Sequence, residues 1–380
     1  MNVYINDVAA YLPHEPVEND QIENILGKVN DLPSRTKRIV LKNNGIKQRY
    51  YAIDPDTGQL THSNAGLAAE AIRRLDPFPG FEPARIETLC CATTSPDLLF
   101  PGHALMVLGE LGIPECEAVS THGICISGMT ALKYAYMNVA LEMSQNAVAS
   151  ASELSSSFMR AAFLSSVSDP DTDLAQKPIR AFDADFLRWM LSDGAGAVFL
   201  SGQPADGRLS LRVDWIDQIS YAGQIDTCMY AGGVRQPDGA ITGWRQTESI
   251  SEAEKTYLFS VRQDIKLLER HITTTMGKAL RTIADKHDLD SGSIDWFLPH
   301  YSSAYFRPRF YQVMKEIDFE IPEKKWFSNL AMKGNTGSAA IYIIMEELFH
   351  SGRIRKGEKL LCFIPESGRF SHCFMLLTAV

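Results

Sequence analysis

The feature that most constrains this chain is a helix-length segment with no polar side. ISGMTALKYAYMNVALEMSQ carries small or apolar residues on nearly every face, and a helix that is apolar all round must be buried on all sides. It lies between two short strand-like runs, ECEAVSTHG (115 to 123) and NAVASASE (146 to 153), and ARIETLCCATTS (84 to 95) reads as a further buried strand that runs into a loop. Strands alternating with helices point to an α/β arrangement rather than a bundle or a sandwich. LSDGAGAVFLSG (191 to 202) reads as a loop and strand that close this first half, and QPADGRLS (203 to 210) as a junction.

The second half repeats the pattern more loosely. The spacing predicts a long amphipathic helix over roughly 253 to 286, a strand over IDWFLPH (294 to 300) and a helix from about Pro308 within FRPRFYQVMKEI. FSNLAMKGNTGSAAIYIIMEELFHSG sets a polar loop before another mostly apolar helix, and KLLCFIP and HCFMLLTAV read as two closing strands. The domain expectation is therefore two halves, 1–205 and 206–380, with no separating linker and no short-period repeat.

Composition narrows what such a chain can do. A formal net charge of -9 over 380 residues speaks against a general nucleic-acid binder, although a local basic patch could still dock an acidic protein. Seven cysteines (Cys90, Cys91, Cys116, Cys125, Cys228, Cys362 and Cys373) form no CxxC pair. With no apolar run near the ~18 residues of a membrane span and no leader-like N-terminus, the expectation is a reducing, cytoplasmic setting.

Three residues sit at turns between strand-like and helix-like segments: Cys125, His300 and Asn335. A cysteine at a helix N-terminus feels the partial positive charge of unpaired N–H groups, which lowers its pKa, and the same groups can bind an oxyanion. A histidine and an asparagine beside it could donate two hydrogen bonds to a thioester carbonyl or to the enolate formed from one. Taken singly, each has a plainer reading: Cys125 as a packing residue, His300 as a cap, GNTG around Asn335 as a turn. SDGAGA lacks the spacing of a phosphate loop and reads as close backbone packing. No metal, flavin or nicotinamide motif is visible, and the chemistry suggested needs no cofactor.

Ordered motifs then add a resemblance. GIKQRYYA (45 to 52), TTSPDLLFPG (93 to 102), ASELSS (151 to 156), SDGAGAVFL (192 to 200), DWFLPHYSS (295 to 303) and KGNTGSAA (333 to 340) resemble, in order, segments of ketoacyl synthase III-like condensing enzymes of the thiolase superfamily. The resemblance implies an α/β fold of the thiolase-like type, a duplicated αβαβα five-layer architecture, and an acyltransferase. It implies that Cys125 carries the acyl group, that His300 and Asn335 hold the second thioester's carbonyl, and that the chain forms a homodimer. Glu153 and Asp193 fall in segments whose family role is structural. His122, three residues before the cysteine, reads as a surface or core histidine.

Departures from the family pattern refine the expectation. CoA-primed members carry a Trp that stacks on adenine and an Arg just before the Gly-Ile segment, where this chain has Ile39 and Asn43. An acyl carrier protein donor is then favoured over acyl-CoA, with Arg307 and Arg309 as a docking patch. The family's C-terminal glycine run, which helps form the oxyanion hole, is replaced here around Ser367, Gly368 and Arg369, which suggests a reshaped substrate pocket. Such changes point to specialised metabolism of the dialkylresorcinol type, in which two acyl thioesters close to a cyclohexanedione. The alternatives are a fatty-acid-initiating synthase III, a thiolase using Cys373, a hydroxymethylglutaryl-CoA synthase using Glu153, or a non-catalytic partner subunit.

Overall fold

The computed structural model describes residues 1–29, 34, 37–161, 187–249 and 258–380. Its centre is a nine-stranded sheet, here numbered in chain order: β1 (Tyr4–Tyr11), β2 (Thr88–Thr93), β3 (Glu117–His122), β4 (Asn146–Glu153), β5 (Gly194–Ser201), β6 (Leu211–Ser220), β7 (Trp296–Pro299), β8 (Lys359–Glu366) and β9 (Ser371–Ala379). The spatial order is β7-β8-β9-β6-β1-β5-β4-β2-β3. Strands β2, β3 and β4 pair in parallel, as do β7 and β8, and the remaining neighbours are antiparallel. The seam is narrow: β1 meets β6 only through Tyr4–Arg212 and Ile5–Leu211. The sheet is thus two half-sheets joined at one corner, and the loop after Ser201 carries the chain from one to the other.

Six principal helices cover it: α1 (Asn64–Arg73), α2 (His103–Leu111), α3 (Ser127–Ala140), α4 (Ile265–His287), α5 (Arg307–Glu316) and α6 (Ala340–Phe349). Helices α1 and α2 pack on one face of β1–β5, α4 packs on β9 with α5 against it, and α3 and α6 lie between the half-sheets. Residue alternation assigns the faces, because successive strand side chains point to opposite sides. Cys90 and Ala92 of β2 join the central core with Met129 and Leu132 of α3, while Leu89 and Cys91 join the outer core with Leu67 and Ala71 of α1. In β8, Leu360, Cys362 and Ile364 face the centre, and Leu361 and Phe363 face Met276 and Phe310 of the α4/α5 layer. Three cores between five layers give the αβαβα architecture.

The segment that reads as apolar on every side is α3, with two half-sheets to hide from water. Close approach in this layer explains SDGAGA: a Cβ on Gly196 would lie 2.3 Å from Tyr342 Cβ of α6. One helix boundary differs from the sequence expectation. Within the described residues the second-half helix begins at Ile265, because Asp264 caps it by accepting from Leu267 N–H at 2.9 Å, and Arg262–Gln263 pair as a short strand instead. Positions 253–257 of the expected helix lie outside the described residues. Helix α5 starts at Arg307, with Pro308 in its first turn where a missing N–H costs nothing.

Candidate active site

Cys125 stands in the turn between β3 and α3, two residues before the helix begins. Ser127 ties the turn down, its N–H and Oγ both donating to the Ile124 carbonyl at 3.0 and 2.8 Å. Among the described residues the Cys125 N–H donates to no other group, so it remains available to an oxygen placed beside the sulfur. The thiol itself corrects the sequence expectation. Burial pushes it well above the ordinary cysteine range, and the carboxyls of Glu366 and Glu153 push the same way. Desolvation outweighs the helix N-terminus here, so the resting enzyme holds a thiol rather than a thiolate.

Asn335 reaches the site through a loop pinned on both sides. Its N–H donates to Met190 O (3.0 Å), its carbonyl accepts from Ser192 N–H (2.9 Å), and its Oδ1 accepts from Gly337 N–H at 3.0 Å. With Oδ1 taken, the Nδ2 group donates to no other side chain or backbone group among the described residues. The next turn, Gly337–Ala339, sits on the first turn of α3: Tyr342 Oη donates to Gly128 O at 2.7 Å, and a Cβ on Gly128 would stand 2.3 Å from Ser338 O. Cysteine and asparagine are thereby carried on segments in direct contact.

His300 follows the last residue of β7, and its N–H donates to Phe363 O of β8 at 2.8 Å. The side chain is buried and desolvation pulls its pKa down to about 4, so the imidazole is neutral at physiological pH. A neutral ring donates one N–H and keeps one lone pair. No described residue bonds to that ring, which leaves both nitrogens for a ligand.

The loop after β8 comes out differently from the glycine run it replaces. Ser367 and Arg369 direct their side chains to the 225–263 segment, Ser367 Oγ accepting from Gln263 Nε2 (3.0 Å) and Arg369 Nη2 donating to Ile225 O (3.2 Å). Gly368 stays against the cysteine turn, where a Cβ would lie 2.9 Å from Ile124 Cδ1. The same glycine lies against Glu366, which sequence reading passed over and whose carboxyl raises the Cys125 pKa. A signal was present, a carboxylate heading the loop where the family has glycine.

Other candidates take clear positions. Glu153 accepts from Thr94 N–H and Oγ1 and from Ser338 N–H and Oγ, binding the ends of β2 and β4 to the Asn335 loop. Asp193 accepts from Ala52 N–H, Ser156 N–H and Ser156 Oγ. His122 is exposed at the end of β3, and Cys373 is buried in the central core. Arg307 pairs with Glu323 at 2.8 Å and touches Tyr301, while Arg309 lies over the Tyr305 ring. A cavity of about 220 Å³ opens next to the His300 loop, with Ile39, Asn43, Leu268, Glu269, Ser303 and Tyr305 in its wall.

Comparison with known proteins gives separate findings. Residues 284–366, which contain both His300 and Asn335, match the family model for the C-terminal part of 3-oxoacyl-[acyl-carrier-protein] synthase III. The chain is 25% identical to beta-ketoacyl-[acyl-carrier-protein] synthase III of Hyphomonas neptunium, over 94% of this chain and 93% of that one. It is 24% identical to the Caulobacter vibrioides protein of the same name, over 95% of each. Among solved structures it superposes on AbyA1, a tetronic acid condensing enzyme, with a TM-score of 0.74 at 19% identity and 99% coverage of both chains. Xanthomonas campestris OleA gives 0.74 at 16% identity, covering 100% of this chain and 98% of that one. The fold is that of the thiolase-like condensing enzymes. Over nearly its whole length the chain resembles ketoacyl synthase III-like condensing enzymes, and these similarities support an acyltransferase.

Proposed function

We propose that this chain forms a carbon–carbon bond between two acyl thioesters by way of an acyl group held on Cys125. The observation that supports the reading is the contact between the α3 and Asn335 segments, the cysteine turn leading into one and the asparagine loop into the other, while the neutral imidazole of His300 stands at the end of β7. In the first half-reaction Cys125 attacks the donor carbonyl, the Cys125 N–H faces the developing oxyanion, and the leaving thiolate takes the thiol proton. In the second, His300 and Asn335 donate to the acceptor carbonyl, so that its enolate forms in a water-poor pocket.

Several features bear on the substrates. Ile39 and Asn43 line the cavity beside the His300 loop, and Glu269 is its charged group. A wall of that kind suits a neutral pantetheine arm and disfavours the phosphates of CoA, which supports a carrier-protein donor. The curated relatives carry the acyl carrier protein in their names, which supports the same choice. The altered β8–β9 loop supports a specialised product, and we favour the dialkylresorcinol type, a 3-oxoacyl and an unsaturated thioester closing to a cyclohexanedione. Those same named relatives support the other reading, a fatty-acid-initiating synthase III. A homodimer is supported by exposed Leu98, Leu99, Phe100 and Leu105 near β3, which is itself an open sheet edge.

Intact-protein mass spectrometry tests the covalent step. Wild type and Cys125→Ala are incubated with acyl-carrier-protein and acyl-CoA thioesters, and an acyl adduct on wild type alone is expected, fastest from the carrier protein. Equal labelling of Cys125→Ala, or no labelling of wild type, would reject the proposal.

A further inference from the structure

Glu366 ends β8, three residues after Phe363, whose carbonyl receives the His300 N–H. A Cβ on Gly368 would lie 2.6 Å from Glu366 Oε1 and 2.9 Å from Ile124 Cδ1, so the carboxyl, the loop glycine and the residue preceding Cys125 share one small space. The carboxyl is held from behind: Arg369 N–H donates to Oε1 at 3.3 Å, while the Arg369 guanidinium turns away to Ile225 O. Among the described residues no lysine, arginine or histidine side chain shifts its titration, and the residue is only 9% exposed. A buried carboxyl with no cation beside it is costly for a fold to keep, and it faces the one thiol that the proposed chemistry uses.

We infer that Glu366 is the base that removes the α-proton of the acceptor thioester, so that condensation proceeds without loss of carbon dioxide and the acceptor carries no free carboxylate. The inference rests on the reading of Cys125 as acyl carrier. The Glu366 carboxylate takes the proton from the acceptor α-carbon, and the electron pair of that C–H bond becomes the enolate held by His300 and Asn335. The enolate carbon bonds to the acyl carbon on Cys125, the C–S bond breaks, and the departing thiolate receives the proton that Glu366 took. Protons and electrons balance with no other reactant. Net charge in the pocket is also constant during deprotonation, since one carboxylate becomes one enolate, and a low-dielectric site favours a step that creates no new charge. A malonyl-type acceptor would set a second carboxylate against Glu366. Burial raises the Glu366 carboxyl above its ordinary range, closer to working pH, as a general base requires.

The test uses wild type, Glu366→Gln, Glu366→Asp and Cys125→Ala with three readouts. These are acyl adduct formation, loss of α-deuterium from a dideuterated hexanoyl-N-acetylcysteamine thioester, and carbon dioxide release from malonyl-N-acetylcysteamine. Expected are adduct formation by Glu366→Gln within about threefold of wild type, and α-exchange and product formation lowered on the order of 10²-fold. Glu366→Asp should recover part of the exchange, which separates a lost base from a misfolded loop. Exchange should persist in Cys125→Ala, because it does not need the acyl enzyme. Wild-type exchange that is absent, Glu366→Gln exchange within threefold of wild type, or a wild type that turns over malonyl faster than the neutral thioester would each overturn the inference. Failure of the acyl-carrier reading looks different: no adduct forms on wild type, while exchange still depends on Glu366.

Discussion

Tyr342 and Gly128 lock the two helices of the central layer together, the phenol of α6 donating to the carbonyl of the first turn of α3 at 2.7 Å. The bond works only because Gly128 has no side chain, as a Cβ there would meet Ser338 O at 2.3 Å and Tyr342 Cε2 at 3.1 Å. One glycine therefore sets the distance between the cysteine turn and the asparagine loop.

Gly128→Ala should consequently separate those segments. The obstacle is a backbone oxygen that cannot rotate away, so we expect about 1–3 kcal/mol of destabilisation by overpacking, read in a urea unfolding curve. Condensing activity should fall further than stability alone explains, on the order of 10²-fold, because small misplacements of reacting groups are costly. A variant with wild-type kcat/KM would show that the contact does not position the site.

The Cys125 thiol should titrate late. Free cysteine ionises near ~8.5, and burial together with two carboxyls holds Cys125 above that. Iodoacetamide labelling of Cys125, followed by peptide mass spectrometry, should be slower than for a free thiol at neutral pH and should still be rising beyond pH ~10, where an ordinary thiol has levelled off. A plateau near neutrality would mean that the helix N-terminus prevails over desolvation. Glu366→Gln should move the profile to lower pH by removing a negative charge.

Arg309 and Arg307 should separate on mutation. Arg307 is tied to Glu323 and Tyr301 and lies over Trp326, so Arg307→Glu is expected to disturb local packing. Arg309 rests on Tyr305 at the surface. If it docks a carrier protein, Arg309→Glu should lower kcat/KM for carrier-bound thioesters about tenfold and leave N-acetylcysteamine thioesters unchanged, the loss shrinking at high salt. Equal effects on both substrate types would remove Arg309 from the docking surface.

Assembly can be examined at the apolar loop before α2. Leu99 and Phe100 are 70% and 82% exposed, an arrangement that a lone soluble chain rarely keeps. Phe100→Asp should shift sedimentation toward the monomer at micromolar concentration. Wild type that sediments as a monomer would remove the dimer from the proposal.

Much of the architecture could be read along the chain. The all-round apolar pattern of α3 demands cover on every side, and the nearly unbroken apolar runs of β8 and β9 imply two buried faces, because these patterns are local consequences of where water can reach. Cys125, His300 and Asn335 could be named for the same reason, each standing at a strand–helix junction within a recognisable motif. Their electrical states could not. A turn before a helix suggests a lowered cysteine pKa, yet the thiol is held up, because it is buried and because the carboxyls of Glu366 and Glu153, distant in sequence, oppose its ionisation. Glu366 was missed in the same way: its letter was visible, but its place near Ile124 exists only once β8 packs against the central layer. Sequence alone determined which segments bury and which residue types are offered for chemistry, since both follow from local pattern. Tertiary structure alone decided which carboxyl faces which thiol and at what charge, because the distances and the exclusion of water that fix those energies are properties of the packed chain.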